Sequence, residues 1–278
     1  MAAPAFLQLG NRALDLSRPR VMGVLNVTPD SFSDGGMFVD RERALGQARR
    51  MVADGADIID IGGESTRPGA APVPLEVELD RVVPLVETLA KEGLRISVDT
   101  HKPDVMRASL AAGAVMINDV RALQAPDAMA TVAASGAAVC LMHMQGEPRT
   151  MQAQPHYGDV VNEVRDFLVD RAHLCEAAGI GRDRIVIDPG FGFGKSQAHN
   201  LELMRALGTL AATGYPVLAG LSRKSMLGGI AGREVNERAA ASVAAALAAV
   251  ARGAAIVRVH DVRETVDALK VWHAIETA

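Results

Sequence analysis

The sequence predicts one (β/α)8 barrel that follows a short N-terminal hairpin. The first observation is a set of apolar runs without polar interruption, the pattern of parallel strands covered by helices on both faces. The second is that an amphipathic helical pattern separates each apolar run from the next. The third is a Gly-Ala step where a helix gives way to a strand, as in "MVADGADIIDIGG" and "VAASGAAVCLMH". Eight such units fit a closed barrel better than an open doubly wound sheet.

Each element can be justified in chain order. The segment "AFLQLGNRALDL" alternates around Gly10 and Asn11, so it predicts a hairpin able to close the bottom of the barrel. The apolar runs predict strands at 21–27, 57–62, 95–100, 115–120, 137–143, 185–190, 216–222 and 254–260. The helical patterns lie near 41–54, 75–92, 102–112, 125–135, 158–178, 197–213, 235–252 and 262–276. No linker interrupts this order, so residues 1–278 are expected to form one domain.

Composition and net charge indicate which partners and which cellular compartment the sequence suits. Hydrophobic residues make up 49% of the chain and the net charge is −4, which argues against nucleic acid or an anionic membrane as the main partner. Cys140 and Cys175 lie in an apolar run and a helical pattern, which is typical of packing thiols in a reduced compartment. No signal peptide and no run long enough to span a bilayer is predicted, so a cytoplasmic protein is expected.

Polar side chains stand at the ends of all eight predicted strands. They are Asn26, Glu64 with Thr66 and Arg67, Asp99, Asn118 with Asp119, His143, Asp188, Ser222 with Lys224, and Arg258 with His260. Because a barrel of this kind carries its active site at the carboxyl ends of the strands, these groups are expected to share one mouth. Helix capping could account for Asp99 and Thr100 ahead of Pro103. It does not call for the cations and the imidazole at the last two strands.

The sequence does not match the motifs of several common nucleotide-binding, hydrolase and zinc sites. The stretch "GFGFGKS" lacks the first glycine of a phosphate-binding P-loop, since Pro189 occupies that position. A dinucleotide fingerprint fails in the same stretch, and no Gly-x-Ser-x-Gly nucleophile elbow exists. His143, His156 and Cys140 lack the spacing of a zinc site. The chemistry is therefore expected to proceed without an activated nucleophile.

The strand-end groups suit a flat ring that carries a phosphate-type leaving group. Asp99 and Asp188 accept hydrogen bonds and the Asn118 amide does both, which fits a 2-amino-4-oxo heterocycle with adjacent N–H donors. Lys224 could donate to a ring carbonyl or nitrogen, and Phe193 offers a planar face, as does Arg258. The groups suited to an anion or a metal are Asn26, Thr66, Arg67, Arg258 and His260, beside the free N–H groups of a helix starting at 262.

At this point the chain resembles the dihydropteroate synthase family over essentially its whole length. The motifs are "NVTPDSFSDGG" (26–36), "DIGGESTRPGA" (60–70), "SVDTHKP" (97–103), "IND" (117–119), "IDPGFGFGK" (187–195), "GLSRKS" (220–225) and "RVH" (258–260). The resemblance implies a TIM barrel that joins (7,8-dihydropterin-6-yl)methyl diphosphate to 4-aminobenzoate in folate biosynthesis, and hence a sulfonamide target. It also implies a homodimer formed through the late helices.

The resemblance also implies residue roles. The pterin would be bound by Asp99, Asn118, Met142, Asp188, Phe193, Gly220 and Lys224. The diphosphate would be held by Asn26, Thr66, Arg258 and His260, with Mg²⁺ on Asn26. The 4-aminobenzoate would be bordered by Phe32, Thr66, Arg67, Pro68, Phe193, Ser222 and Lys224. The groups expected to take part in catalysis are Asn26, Lys224, Arg258 and His260. The loop after Asn26 is expected to close over the 4-aminobenzoate.

The mechanism so implied is loss of diphosphate to leave a pterin methylene cation, followed by attack of the arylamine. Three rivals stay open. A pterin-dependent methyltransferase domain needs no diphosphate clamp, so "RVH" counts against it. A barrel aldolase would use Lys224 as a Schiff-base lysine. A non-catalytic pterin-binding paralogue would be expected to have lost loop or clamp residues.

Overall fold

All eight predicted strands form, and they close into a parallel barrel. The computed structural model describes residues 5–27, 36–65, 69–147 and 150–277, with backbone alone for 36–39. The barrel strands are β3 (Arg20–Asn26), β4 (Ile58–Gly62), β5 (Ile96–Asp99), β6 (Met116–Asp119), β7 (Ala138–Met142), β8 (Ile185–Asp188), β9 (Val217–Ala219) and β10 (Ala254–Val259). Each pairs with its neighbours in chain order, and β10 closes the ring against β3 and β9. The predicted fold class is confirmed.

The N-terminal hairpin consists of β1 (Phe6–Leu9) and β2 (Arg12–Asp15), which pair antiparallel. Gly10 takes a φ of +61° in the turn, a conformation that glycine adopts without steric cost. Leu7, Leu9 and Leu14 are fully or almost fully buried in a cluster with the inward residues of the lower barrel. The hairpin therefore plugs the bottom of the barrel, as the alternating sequence predicts.

Helices follow the barrel strands and cover their outer faces. They are α1 (Gly36–Ala53), α2 (Leu75–Lys91), α3 (Pro103–Ala111), α4 (Ala128–Ser135), α5 (Val160–Ala177), α6 (Gln197–Arg205), α7 (Leu207–Ala211), α8 (Ser225–Ala231), α9 (Ala239–Val250) and α10 (Val262–Glu276). Within the described ranges, no helix is long and apolar enough to cross a membrane.

Four details differ from the predicted helices. The first helix begins at Gly36 rather than at 41, and the predicted helix 197–213 breaks at Ala206 into α6 and α7. The predicted helix 235–252 opens with a separate 3-10 turn at Val235–Glu237. The short helix α8 was not predicted, because "SMLGGIA" contains two glycines that lower helix propensity.

The strand register sets which side chains share the upper mouth. Asp99 of β5 pairs with Asn118 of β6, and Asn26 of β3 pairs with Gly62 of β4. Met142 of β7 pairs with Asp188 of β8. Because paired residues in a parallel sheet point to the same face, the last inward position of several strands meets at one level. The fold thus gathers residues from distant parts of the chain.

Candidate active site

A buried ionic network occupies the carboxyl end of the barrel. The guanidinium of Arg258 donates from Nε to Asp60 Oδ2 at 2.6 Å and from Nη2 to Asp99 Oδ2 at 2.8 Å. Asn118 Nδ2 donates to the same Asp60 oxygen at 3.0 Å. Asp60 is completely buried and Asp99 is nearly so. One cation and one amide therefore tie β4, β5, β6 and β10 together at the mouth.

The network holds more negative charge than its single cation neutralises. Burial raises the pKa of Asp99 to about 7, with Arg258 opposing this rise and Asp60 adding to it. Burial works against the charge of Arg258, yet Asp60 and Asp99 outweigh it and raise the pKa of the guanidinium. Arg258 is therefore a permanent cation, whereas burial disfavours the charged form of Asp99.

Two buried oxygens of this network have no protein partner in the part of the chain that the structure describes. They are Asp60 Oδ1 and Asp99 Oδ1. A buried acceptor without a donor costs about 1–3 kcal/mol, so such atoms indicate a place for a bound donor. The mouth is therefore prepared to accept hydrogen bonds from a ligand.

Asp188 and Lys224 form the opposite wall. Asp188 Oδ1 accepts from the backbone N–H of Gly190 at 2.7 Å. Burial raises the pKa of Asp188, while Lys224 and the Gly190 N–H act in the other direction. Burial lowers the pKa of Lys224 to about 8, and Asp188 is the main group that opposes this. Lys224 supports the charge of the Asp188 carboxylate but does not fully offset the effect of burial.

Two glycines leave a gap between these walls. A Cβ at Gly220 would lie 3.8 Å from Asp188 Oδ2 and 3.9 Å from Arg258 Cβ. A Cβ at Gly62 would lie 3.6 Å from Asn26 Oδ1 and 3.6 Å from Asp99 Cβ. Any larger side chain at either position would project among the polar groups of the mouth. Both glycines therefore keep side-chain atoms out of the region between Asn26, Asp99, Asp188 and Arg258.

Lys224 and Phe193 meet at the rim. The Lys224 nitrogen lies 4.4 Å from the centre of the Phe193 ring and also donates to the backbone carbonyl of Phe191. Such a distance to an aromatic face allows a cation–π contact. Met142 ends β7 and is almost fully buried. The predicted ring-binding residues are thus brought together.

His260 is held by a hydroxyl from the neighbouring strand end. Ser222 Oγ accepts from the His260 backbone N–H at 3.1 Å and lies 3.0 Å from the ring Nδ1. Between Ser222 and Lys224, Arg223 takes a left-handed φ of +59° and pairs with Asp261 at 2.5 Å. This unusual backbone turn is therefore anchored by an ion pair, and Ser222 and Lys224 flank it.

Four predicted residues, Phe32, Thr66, Arg67 and Pro68, lie outside the described residues, as does the loop 28–35. Their predicted contacts with diphosphate and 4-aminobenzoate stay predictions.

Some strand-end residues serve the fold itself. Asp119 accepts at 2.8 Å from the backbone N–H groups of Arg121 and Leu123, and so shapes the turn after β6. His143 lies 2.9 Å from the buried Lys195 nitrogen rather than facing the network. Asp99 and Thr100 do not cap α3: its N-cap is Lys102, and the Thr100 hydroxyl donates to Glu78 at 2.7 Å. The capping interpretation is therefore wrong.

The sequence reasoning missed Asp60. It lies within β4 rather than at its end, and it is marked by its charge in the apolar run "DIIDIG" and as the first residue of the motif "DIGGESTRPGA". A carboxylate at a buried strand position needs a partner, and that requirement could have flagged it.

No cluster of three or more acidic, histidine or cysteine ligands suited to a metal exists in the described ranges. Asn26 nevertheless offers an amide oxygen at the mouth, and the missing side chain of Gly62 leaves room beside it. Mg²⁺ commonly binds through one or two protein oxygens together with substrate phosphates and water. The residues present therefore fit a magnesium ion brought in with a diphosphate.

Comparisons with known proteins point the same way. The family described as "Pterin binding enzyme" matches residues 22–260. A Haemophilus influenzae protein named dihydropteroate synthase is 52% identical over 273 residues, 98% of this chain and 99% of that protein. A Xanthomonas albilineans dihydropteroate synthase solved with 4-aminobenzoic acid is 55% identical, covers 99% of both chains and has a TM-score of 0.93. A Burkholderia cenocepacia dihydropteroate synthase complexed with 7,8-dihydropteroate is 54% identical, covers 100% of this chain and 98% of that one, and has a TM-score of 0.90.

Proposed function

The chain belongs to the pterin-binding enzyme family, and from that premise we propose how the polar mouth of its barrel works. It is a transferase of the dihydropteroate synthase type. Such an enzyme condenses (7,8-dihydropterin-6-yl)methyl diphosphate with 4-aminobenzoate to give 7,8-dihydropteroate and diphosphate. We further propose that residues 1–278 act as one catalytic domain in the cytoplasm.

The observation that carries the proposed mode of binding is the unpartnered Asp99 Oδ1, buried beside Asn118 and across the mouth from Asp188. The 2-amino-4-oxo edge of a pterin presents N–H donors and a carbonyl. The carboxylates of Asp99 and Asp188 accept hydrogen bonds from the pterin N–H groups, and the Asn118 amide can both donate and accept. Lys224 donates to a ring carbonyl or nitrogen, while Phe193 and Met142 cover the apolar faces. The gaps at Gly62 and Gly220 give the ring its room.

In the reaction, the bond between the pterin methylene carbon and the diphosphate oxygen breaks, and the electron pair leaves with the diphosphate. Arg258 and His260 reduce the cost of that developing charge, because fixed donors need no reorganisation as the bond breaks. The pterin ring delocalises the positive charge left on the methylene. The lone pair of the 4-aminobenzoate nitrogen then forms the new C–N bond, and the nitrogen releases a proton. That amine is neutral at pH 7, so no strong base is required.

Asn26 would hold Mg²⁺ together with diphosphate oxygens and water. When bound, the ion neutralises charge on the leaving group. Thr66 is proposed as a further diphosphate contact. We propose that Ser222 borders the 4-aminobenzoate and orients His260, with Phe32, Arg67 and Pro68 contributed by the adjoining loops.

A diphosphate-release assay tests the function. Diphosphate is expected to appear only when the pterin substrate and 4-aminobenzoate are both present, and 7,8-dihydropteroate is expected in equal amount. Release without 4-aminobenzoate would favour hydrolysis, and methyl transfer with no release would favour the methyltransferase domain. Trapping by borohydride with a carbonyl substrate would favour the Schiff-base lysine. Repeating the assay with chelated and restored Mg²⁺ tests the proposed ion.

We also propose a homodimer formed through the late helices. Val271 and Ile275 of α10 are 61% and 69% exposed, and apolar side chains that open to solvent indicate a surface suited to a partner. A monomeric mass at micromolar concentration would contradict this proposal.

A further inference from the structure

The loop Gly190–Gly194, here the glycine loop, is pressed against the end of β7. Its three glycines all take left-handed φ angles, at +65°, +80° and +60°. A Cβ at Gly190 would collide with the carbonyl oxygen of His143, and one at Gly194 would collide with that of Gln145. The glycine loop therefore packs directly against the backbone that follows β7 and cannot move further in that direction. Its conformation depends on the hydrogen bonds made on its inner side.

The side chain of Lys195 holds the loop from within. Its nitrogen lies 3.0 Å from the carbonyl oxygens of Gly190 and Phe193, 3.3 Å from that of His143 and 2.9 Å from His143 Nδ1. Lys195 is only 2% exposed. None of the ion pairs found among the described residues includes it, so it is held by backbone carbonyls and an imidazole rather than by a carboxylate.

The imidazole can accept from Lys195 because it stays neutral. Burial and the nearby Lys195 lower the pKa of His143 to about 3. A neutral ring with Nδ1 as acceptor carries its proton on Nε2. Four acceptor atoms thus surround the amino group of Lys195. The flexible four-carbon side chain of lysine allows its N–H donors to reach them. These contacts reduce the cost of burying the amino group but do not remove it, because burial and the nearby Lys224 lower the pKa of Lys195 to about 7.

Two of the carbonyls that Lys195 binds, those of Gly190 and Phe193, lie on either side of the part of the loop that faces the active site. Phe191 lies between them in sequence and accepts a hydrogen bond from Lys224 through its own carbonyl. Phe193 presents its ring 4.4 Å from the Lys224 nitrogen. Gly190 donates to Asp188 Oδ1 at 2.7 Å. Displacement of the loop would therefore move the partners of both Lys224 and Asp188.

We propose that Lys195 is a positioning residue that, through the glycine loop, fixes Lys224 and Phe193 for pterin binding. This rests on the proposed function, since the affected ligand is the pterin. Lys195 does not touch the ligand in this scheme. It sets the distance between the Phe191 carbonyl, the Phe193 ring and the Lys224 nitrogen.

The test compares Lys195→Met with Arg171→Met. Arg171 is a matched control, because it also binds two consecutive backbone carbonyls, those of Ala122 and Leu123 at 2.9 Å, in the loop after β6. Both variants remove a basic side chain whose N–H groups bind the backbone carbonyls of a barrel loop, and both are expected to lower thermal stability. The affinity for pterin-6-carboxylate, measured by calorimetry, is expected to fall about tenfold or more for Lys195→Met, because the loop partners of Lys224 and Asp188 are then misplaced. Arg171→Met is expected to change it less than about twofold.

A double-mutant cycle then separates positioning from general loosening. If Lys195 acts through Lys224, Lys195→Met in a Lys224→Met background is expected to add less than about threefold to the Kd, because residues that act as a unit are not additive. Equal effects in both backgrounds, or a wild-type Kd for Lys195→Met, would overturn the proposal. Should Lys195→Met not fold, Lys195→Gln, which keeps two N–H donors, undergoes the same comparison. If the wild type itself binds no pterin, the proposed function fails instead.

Discussion

The two ends of the barrel are built from the same strands but follow opposite rules. At the bottom, Met22, Ile58 and Ile256 point inward and pack with the hairpin leucines, all essentially without exposure. A few residues further along these strands, at the top, stand Asn26, Asp60 and Arg258. The bottom packs through this apolar cluster, beside which the buried Arg20 pairs with Asp57 at 3.0 Å, whereas at the top a half-buried cation, Arg258, lies between two buried carboxylates.

The contrast shows how stability and function divide along a strand. Burial of apolar surface stabilises the fold by about 25 cal/mol per Å², and that term acts at the bottom. At the top, charges are withdrawn from water, which costs free energy unless partners are supplied. Two acceptor oxygens there still lack a partner. Changes at the bottom are therefore expected to affect stability alone, whereas changes at the top are expected to affect binding and catalysis and, where a buried charge loses its partner, stability as well.

The largest effect is expected for Arg258→Met. It leaves Asp60 and Asp99 buried without their cation, and breaking a buried pair in this way costs about 3–5 kcal/mol. Turnover is expected to fall by about a hundredfold or more as well, by analogy with the loss of one fixed donor to a developing anion. Urea denaturation and the diphosphate assay measure the two effects.

Arg263→Met is the control for that variant, because Arg263 pairs with Asp54 at 3.1 Å while its side chain is 73% exposed. Such a surface pair contributes at most about 1 kcal/mol. Wild-type turnover in folded Arg258→Met would remove this residue from the mechanism and leave it a packing arginine.

At the other end of the barrel, Leu9→Ala is expected to act on stability alone. Leu9 is completely buried in the plug, and truncation of such a leucine costs about 2–5 kcal/mol. The folded fraction is expected to keep its kcat/KM, since no hairpin residue reaches the mouth. Phe6→Ala in the same hairpin is the control, at 54% exposure, with a change near 0.5 kcal/mol. A loss of kcat/KM in folded Leu9→Ala would break the division between the two ends.

A smaller effect, confined to binding, is expected for Asp188→Asn. The variant keeps the shape but turns one acceptor into a donor that faces a pterin donor, at a cost of about 1–3 kcal/mol. Affinity for a stable pterin ligand should fall about ten- to a hundredfold. Unfolding free energy should stay level or rise, because burial already disfavours the charged form of Asp188.

Calorimetry decides between this and a purely structural role for the carboxylate, with the exposed Asp170→Asn as the control. If Asp188→Asn and the wild type bind the ligand equally well, Asp188 does not read the pterin.

A pH dependence of stability is also expected at the top of the barrel. Asp99 has a folded-state pKa of about 7 against an ordinary value of 3.8, so the folded protein holds a proton that the unfolded chain has lost. Stability should therefore decrease as pH rises from about 4 to about 7 and level off above, by no more than about 1.4 kcal/mol per pH unit from one group.

The measurement is urea denaturation of the wild type and Asp99→Asn across this window. The wild type should lose more stability than the variant as pH rises, because the variant cannot titrate at this position. Parallel pH profiles would show that Asp99 keeps its charge in the folded state.

Much of this molecule was decided by the sequence. Unbroken apolar runs and Gly-Ala steps are local signals that predicted the eight strands and their polar ends, and the alternating N-terminal segment predicted the plug. The strand-end rule then placed Asp99, Asn118, Asp188, Lys224 and Arg258 at one mouth, because every parallel strand ends at the same face of the barrel. The long motifs that indicated the family also lie at the carboxyl ends of the strands, where the functional side chains are.

Only the tertiary structure decided which side chains form ion pairs and hydrogen bonds with each other. Arg258 is 198 residues from Asp60 in the chain, and no spacing rule reveals a bond across that separation. The role of Lys195 was hidden likewise, since its partners are backbone carbonyls, which every residue possesses. Burial raises the pKa of Asp99, and burial is a property of the closed barrel rather than of any segment of it.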